Sequence, residues 1–279
     1  MKKTILAVLT AFCLLFTACV GEKSAEEPKG TTKTGVITRL NISEVEYNKI
    51  INALGQNYRP SKANPNVEFK FFDRMSDLLA ALNDGQIDIF STYQHVADYI
   101  EKRNKNLERL DSERHLEDSF CFAVREGDTA LKNDLNKAIK DMIADGTLAN
   151  LTKQYIAELQ INTEPPAVPI TKIDGAETLK VAVTGDLPPF DLILPDGTPA
   201  GFSTAVLAEI SRRIGKNIEL INVDSNARAE ILASNGADIV FWVSVPKDST
   251  LVPENIDKPA GIDVSDPYFH DLIVHVGTK

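Results

Sequence analysis

Apolar and polar positions along this chain form two successive alternations of strand-like runs and helical stripes. In the first, GVITRLNI reads as a short strand, and SEVEYNKIINAL places Val45, Ile50, Ile51 and Leu54 on one helical face. VEFKFF alternates as a strand, MSDLLAALNDG reads as a helix closing at Gly85, and IDIFSTY is the next strand. A helix, HVADYIEKRNKN, precedes LERLDSER, and FCFAVREGD follows as a connecting strand. Next, TALKNDLNKAIKDMI puts Leu131, Leu135, Ile139 and Met142 on one stripe, and GTLANLTKQYIAEL makes another helix. Residues 161–177 hold three prolines and no periodicity, which marks a linker.

The second alternation runs from LKVAVTG, through a PDG turn at Pro195–Gly197, to a helix carrying Val206, Leu207, Ile210 and Ile214. Ser203 or Thr204 is the expected cap of that helix and Gly215 its stop. IELINV, a helix from about Asn226, and DIVFWVSV complete the pattern. Strands alternating with helices predict an α/β fold, each lobe a mixed sheet flanked by helices. The stretches LLAALNDGQIDIF and EILASNGADIVFW echo one another across the two lobes.

Composition adds little to this picture but excludes some partners. The 279 residues are 43% apolar and 25% charged, ordinary for a globular chain with a substantial core. Net charge is −10, with no Lys/Arg cluster, so no nucleic-acid partner is expected. At the N-terminus, Lys2 and Lys3 precede an apolar run from Ile5 to Phe16 and then Thr17-Ala18-Cys19. That is a signal peptide over residues 1–18, its apolar run too short to span a bilayer comfortably. The cysteine directly after Ala18 makes it resemble a bacterial lipoprotein signal, which implies lipidation of Cys19 and an extracytoplasmic, membrane-anchored protein. Residues 19–33, rich in Lys, Glu, Gly and Thr, read as a tether. Cys13 leaves with the leader, so Cys121, between Phe120 and Phe122, is an unpaired packing residue.

The segment from Leu179, LKVAVTGDLPPFDLILPDGTPAGFSTAVLAEISRRIG, and DVSDPYF at Asp263–Phe269 resemble the beginning of a family-3 extracellular solute-binding protein of ABC transporters. SFCFAVREGDTALKNDLNKAIKDMIADGTLANLTKQY, from Ser119, resembles the end of one, yet comes first. The resemblance implies a two-lobed periplasmic-binding-protein type II fold in circularly permuted order. It assigns lobe 2 to residues 34–122, a hinge strand and lobe-1 helices to 123–160, the linker to 161–177 and lobe 1 to 178–279. FCFAV would then be the one covalent crossing between lobes, the other being cut between DLIVHVGTK and GVITRL. It also implies a small-molecule solute, an ABC permease as partner, and no catalysis, metal or cofactor. His95, His115, His270 and His275 show no metal spacing, and no nucleophile motif is present. The alternatives on the same fold are a sensor or interaction module that has lost amino-acid binding, and a dehydratase-like enzyme.

Ligands of open α/β sheets bind beyond the carboxyl ends of the strands. That rule selects Thr184, Asp186, Leu187, Trp242, Val243 and Ser244 in lobe 1, and Arg39, Asn41, Ser43, Thr92 and Tyr93 in lobe 2. Trp242 and Tyr93 are candidate flat walls and Arg39 a candidate anionic contact. The chain departs from the resembling family where it matters for specificity. An arginine after the third lobe-1 strand usually holds the ligand carboxylate; here the segment is SVPKDST, with Ser249 or Thr250 in its place. The aspartate for the ligand ammonium is replaced near Tyr93. Ordinary α-amino acids are therefore expected to bind weakly, and a less polar or ring-containing solute is expected instead. Arg228 enters the cleft only if the helix near Asn226 is turned by one residue.

Overall fold

A computed structural model of the chain describes residues 30–60, 63–160 and 163–279. The expected signal peptide, Cys19 and residues 19–29 of the expected tether lie outside the described residues. Lobe 2 contains β1 (Thr31–Ile37), α1 (Glu44–Ala53), β2 (Asn66–Phe72), α2 (Met75–Asn83), β3 (Ile89–Tyr93), α3 (Gln94–Arg103) and β4 (Leu107–Leu110). Then come β5 (Glu117–Arg125), α4 (Thr129–Ala144) and α5 (Thr147–Thr152), which a π-helical turn extends over Lys153–Ala157. Lobe 1 continues with β6 (Thr178–Val183), β7 (Asp186–Leu187), β8 (Asp191–Ile193), β9 (Pro199–Ala200) and α6 (Phe202–Ile214). It ends with β10 (Asn217–Asn222), α7 (Arg228–Ala233), β11 (Ile239–Pro246), β12 (Ile262–Val264) and β13 (Phe269–Thr278).

The strand order β10-β6-β11-β5-β13-β3-β1-β2, with β12 beside β5 and β4 beside β13, is two mixed sheets joined at a seam. In each lobe the parallel strands (β6, β10, β11; β1, β2, β3) stand next to one antiparallel strand. The seam differs from the single crossing expected. Phe269–Leu272 of β13 pair with β5, whereas Ile273–Gly277 pair with β3 and His275–Thr278 with β4. Both β5 and β13 therefore join the lobes, and residues 273–278 belong to the lobe-2 sheet. The reason is apolar burial: Val274 and Val276 are 2% and 0% exposed in the lobe-2 core. Likewise Asp118–Cys121 of β5 pair with β11 or β13, beside the lobe-1 strands.

Other expectations shift locally. The tether is shorter than 19–33, because Thr31–Lys33 pair with Asn66–Glu68 in the β1–β2 ladder. On α1, Tyr47 and Ile51 are buried while Val45 is exposed, and Ser43 forms a capping box with Glu46. Helix α6 starts two or three residues earlier than the expected caps Ser203 or Thr204 imply, with Gly201 as cap at φ 103°; a Cβ there would meet the Pro189 and Phe190 carbonyls. Thr204 sits inside the helix and donates instead to the Ala200 carbonyl at 3.0 Å. Beyond residue 162 the linker lies on lobe 1: Val168 is buried, its amide donates to Pro199, and the Asn217 side chain ties down Ile173 and Ala176.

One apolar core runs through the seam. Phe120 of β5 meets Tyr93 edge-on at 4.6 Å between ring centroids and Phe190 at 4.9 Å, and Phe122 stacks on Tyr268 at 4.7 Å. Leu135, Ile139 and Met142 of α4 share that core with Val206 and Ile210 of α6. Among the described residues, no helix is long and apolar enough to cross a membrane.

Candidate functional site

The carboxyl ends of β1 and β3 in lobe 2 face those of β6 and β11 in lobe 1, and the expected residues gather there. Tyr93 donates to Asp118 Oδ2 at 3.3 Å, and burial raises its phenol above the ordinary value. Arg39, three residues into the α1 approach, lies 3.3 Å from the same carboxylate and donates to Ser244 Oγ at 2.6 Å. Its guanidinium also stands 5.2 Å from the Tyr47 ring centre. Burial works against the Arg39 charge, but Tyr47, Tyr93, Asp118 and Asp257 hold it protonated. Thr92, Leu187, Trp242 and Val243 complete the walls of the central cleft.

That cleft is nearly filled by the chain itself, its remaining cavity being about 30 Å³, the share of one water in liquid. Trp242 does not offer a free ring. It sits at a β-bulge with φ 32°, which turns its ring under the Arg228 guanidinium, 4.5 Å away. Arg228 does enter the cleft, 2% exposed, as the first residue of α7 directly after the short 3-10 segment Ser225–Ala227. Its donors are committed to the carbonyls of Ser225, Trp242 and, across the lobes, Thr38. Ser249 and Thr250, in place of the usual arginine, are exposed.

Three predicted residues do something other than line the cleft. Ser43 caps α1 and is exposed. Thr184 gives its amide and hydroxyl to the buried Asp191 carboxylate, both at 2.9 Å. Asn41 contributes its backbone amide, and the recipient was not legible beforehand. Asp257, in the 247–261 segment of lobe 1, accepts from the amides of Leu40 at 2.8 Å, Asn41 at 2.7 Å and Ile42 at 2.9 Å. A carboxylate on three converging amides is an anion nest, here filled by the other lobe.

Asp186 makes the reciprocal contact, accepting from the Met75 amide at the start of α2 at 2.9 Å. Burial pushes its carboxyl up to about 6, against hydrogen bonds from the Ser76 and Met75 amides that pull it down. Asn226 bonds the Asp73 carboxylate at 2.7 Å and Arg74 pairs with Asp224 at 2.5 Å. Cys121 is inert: it is buried, and burial pushes its thiol up to about 12.

A larger cavity of about 460 Å³ opens beside the cleft, between α1, the start of β5 and the 247–257 segment. It shares Arg39, Tyr47, Ser244 and Asp257 with the filled cleft. Asp118, Tyr47 and Asp257 are the residues around it that sequence reasoning missed. Asp257 lies in an aperiodic stretch that gave no signal, whereas Asp118 stands at the start of β5 and Tyr47 on the buried face of α1.

Comparison with known proteins bears on this arrangement directly. The family model of bacterial extracellular solute-binding proteins, family 3, matches residues 50–158 and 179–248, well over half of the chain. The chain belongs to this family. Its two mixed sheets flanked by helices are the α/β architecture that the resemblance implied. A curated relative, the L-cystine-binding protein TcyA of Bacillus subtilis (strain 168), is 24% identical over 136 residues, 46% of this chain and 50% of the relative. The family-3 chain thus matches half the length of that relative. Solved structures similar to it include a putative L-cystine ABC transporter from Listeria monocytogenes, at 15% identity and TM-score 0.39, covering 89% of this chain and 83% of that one. Another is the ligand-binding component of an ABC-type import system from Staphylococcus aureus with zinc bound, at 14% identity and TM-score 0.41, covering 90% and 66%.

Two predictions follow from the contacts between lobes. Asp257→Ala leaves three amides without their charged acceptor and should cost about 2–3 kcal/mol in urea unfolding. Small-angle scattering of that variant should show a larger radius of gyration; an unchanged one means Asp257 does not hold the lobes together. For Asp186, the folded-state value of about 6 exceeds the unfolded 3.8, so the folded protein binds the extra proton between these values. Stability from this group falls as pH rises from about 4 to 6, and its full cost is present at pH 7. Asp186→Asn should therefore stabilise the protein at pH 7 by roughly 1–3 kcal/mol. That gain should vanish in urea titrations near pH 4; an equal gain at both pH values rejects the assignment.

Proposed function

We propose that this family-3 chain is an extracytoplasmic, lipid-anchored solute-binding protein that captures a small molecule between its lobes and delivers it to an ABC permease. The observation that carries this reading is the family match joined to the two-lobe geometry, with a 460 Å³ inter-lobe cavity of ligand-binding size. The named relatives extend it to solutes of the amino-acid class. In this reading Arg39, Tyr93, Asp186, Leu187, Trp242 and Ser244 set how the lobes meet, rather than each touching the solute. The rotated order of segments, as a circular permutation, is part of the proposal. Packing of α4 with α6 across the intervening linker supports it, as does β13, which ends the chain in the lobe-2 sheet where β1 begins it. Exchange of solute requires the lobes to part about the paired β5 and β13 strands, a hinge motion.

Protein purified under native conditions and then denatured should release a stoichiometric small molecule, unchanged in mass, detected by mass spectrometry. Release of none, from protein grown in rich medium and from protein incubated with the twenty amino acids, favours the interaction-module alternative. The anchor is tested separately. Intact-mass analysis of membrane-extracted protein should show a diacylglyceryl increment on Cys19 that Cys19→Ala abolishes, and a mature chain beginning elsewhere defeats the anchor.

A further inference from the structure

We infer that the 247–257 segment is a built-in competitor for the solute: Asp257 occupies an anion seat, and a solute of the amino-acid class enters by putting its own carboxylate in place of Asp257. This rests on the solute-binding reading above and names the contact by which its site takes the solute. The seat is the turn before α1, where the amides of Leu40, Asn41 and Ile42 meet the Asp257 carboxylate at 2.8, 2.7 and 2.9 Å. A carboxylate is held there now at 6% exposure, so the chain itself shows which chemical group the seat fits. The Arg39 and Arg228 guanidiniums stand within electrostatic reach of the same carboxylate. Withdrawing Asp257 would leave three buried donors and two cations short of one negative charge, a deficit that another anion repairs.

The segment that carries Asp257 is suited to withdrawal. From Lys247 to Lys258 only Val252 and Asp257 are buried. The amides of Leu251 and Val252 donate to Asp248, that of Ile256 to Pro253 and that of Lys258 to Asn255, so these bonds move with the segment. Beneath it lies the 460 Å³ cavity, which both Ile42 and Asp257 border. A solute body fits in that cavity while its carboxylate reaches the amides. Ile42, Ile50 and Ile51 from lobe 2, with Leu251, Val252 and Ile256 from lobe 1, line it and favour an aliphatic side chain at about 25 cal/mol per Å² buried. The central cleft, with about 30 Å³, has no room for that body. A tethered carboxylate acts at an effective concentration on the order of millimolar, so it weakens a free competitor without excluding it.

Leucine and leucinamide, which share a side chain and an ammonium but not a carboxylate, separate the possibilities in calorimetric titrations. Leucine should bind Asp257→Ala roughly tenfold or more tightly than the unsubstituted chain, and leucinamide should give no measurable heat with either. Asp257→Asn keeps the side-chain volume and one acceptor oxygen, and its leucine affinity should fall between the two. Equal leucine affinity in all three proteins, or leucinamide binding as tightly as leucine, overturns the inference. Hydrogen exchange on the unsubstituted chain decides the matter where Asp257→Ala does not fold. In excess leucine the amides of residues 40–42 should stay protected while residues 248–258 exchange faster; unchanged or slower exchange in 248–258 overturns the inference as well. Should native protein release a solute in either of those cases, the solute-binding reading stands and only the competitor falls. Release of none, with leucine binding gained in Asp257→Ala, sinks that reading and leaves the exchangeable seat standing.

Discussion

Asp257 on the amides of Leu40, Asn41 and Ile42 is the contact around which the inter-lobe face is organised. A carboxylate taken out of water costs several kcal/mol unless donors replace the lost hydration. Three backbone amides at the approach to α1 supply those donors, and the Arg39 and Arg228 guanidiniums stand within electrostatic reach. The same bargain recurs in the opposite direction, where Asp186 of lobe 1 meets the first turn of α2. It recurs with reversed sign where Arg228 gives its donors to the carbonyls of Trp242 and Thr38. Each lobe exposes unpaired backbone groups at the ends of its strands and helices, and each is capped by a charged side chain from across the cleft. The lobes recognise one another by the chemistry with which such ends usually recognise ligands.

That substitution has a geometric consequence. Side chains spent on holding lobe to lobe fill the space they span, which is why the central cleft shrinks to the size of one water. The 247–257 segment delivering Asp257 must arch from the end of β11 to reach lobe 2, and an arch leaves room beneath it. The side cavity is that room, apolar because Ile42, Ile51 and Ile256 belong to or pack against the small core around Tyr47 and Phe69. Filled cleft and open side cavity are therefore two results of one contact.

Much of the fold was legible in the sequence because its signals are local. The 3.6-residue stripe on α4 and the strand–turn–helix order fixed the elements, and Leu135, Ile139 and Met142 are buried as that stripe requires. What escaped were long-range consequences. The DLIVHVGTK run was readable as a strand, but its pairing partner depends on where Val274 and Val276 find a core. Trp242 was readable as a strand residue near the cleft, but the bulge that turns it under Arg228 leaves no mark on a single strand's pattern. Asp257 lies in a stretch without periodicity, 216 residues from Asn41, and only three dimensions bring it there.

Arg228 shows why counting charges at expected positions is an incomplete guide to specificity. The arginine expected after the third lobe-1 strand is missing, and an arginine nevertheless stands in the cleft. Three of its five N–H groups are spent on carbonyls, one from each nitrogen, so a carboxylate would have to share terminal nitrogens already engaged in the seam. Burial also costs it charge stabilisation, pulling its value below the ordinary one, and Asp257 and Tyr93 offset only part of that loss. A second anion entering beside it would have to break bonds within the seam before making its own.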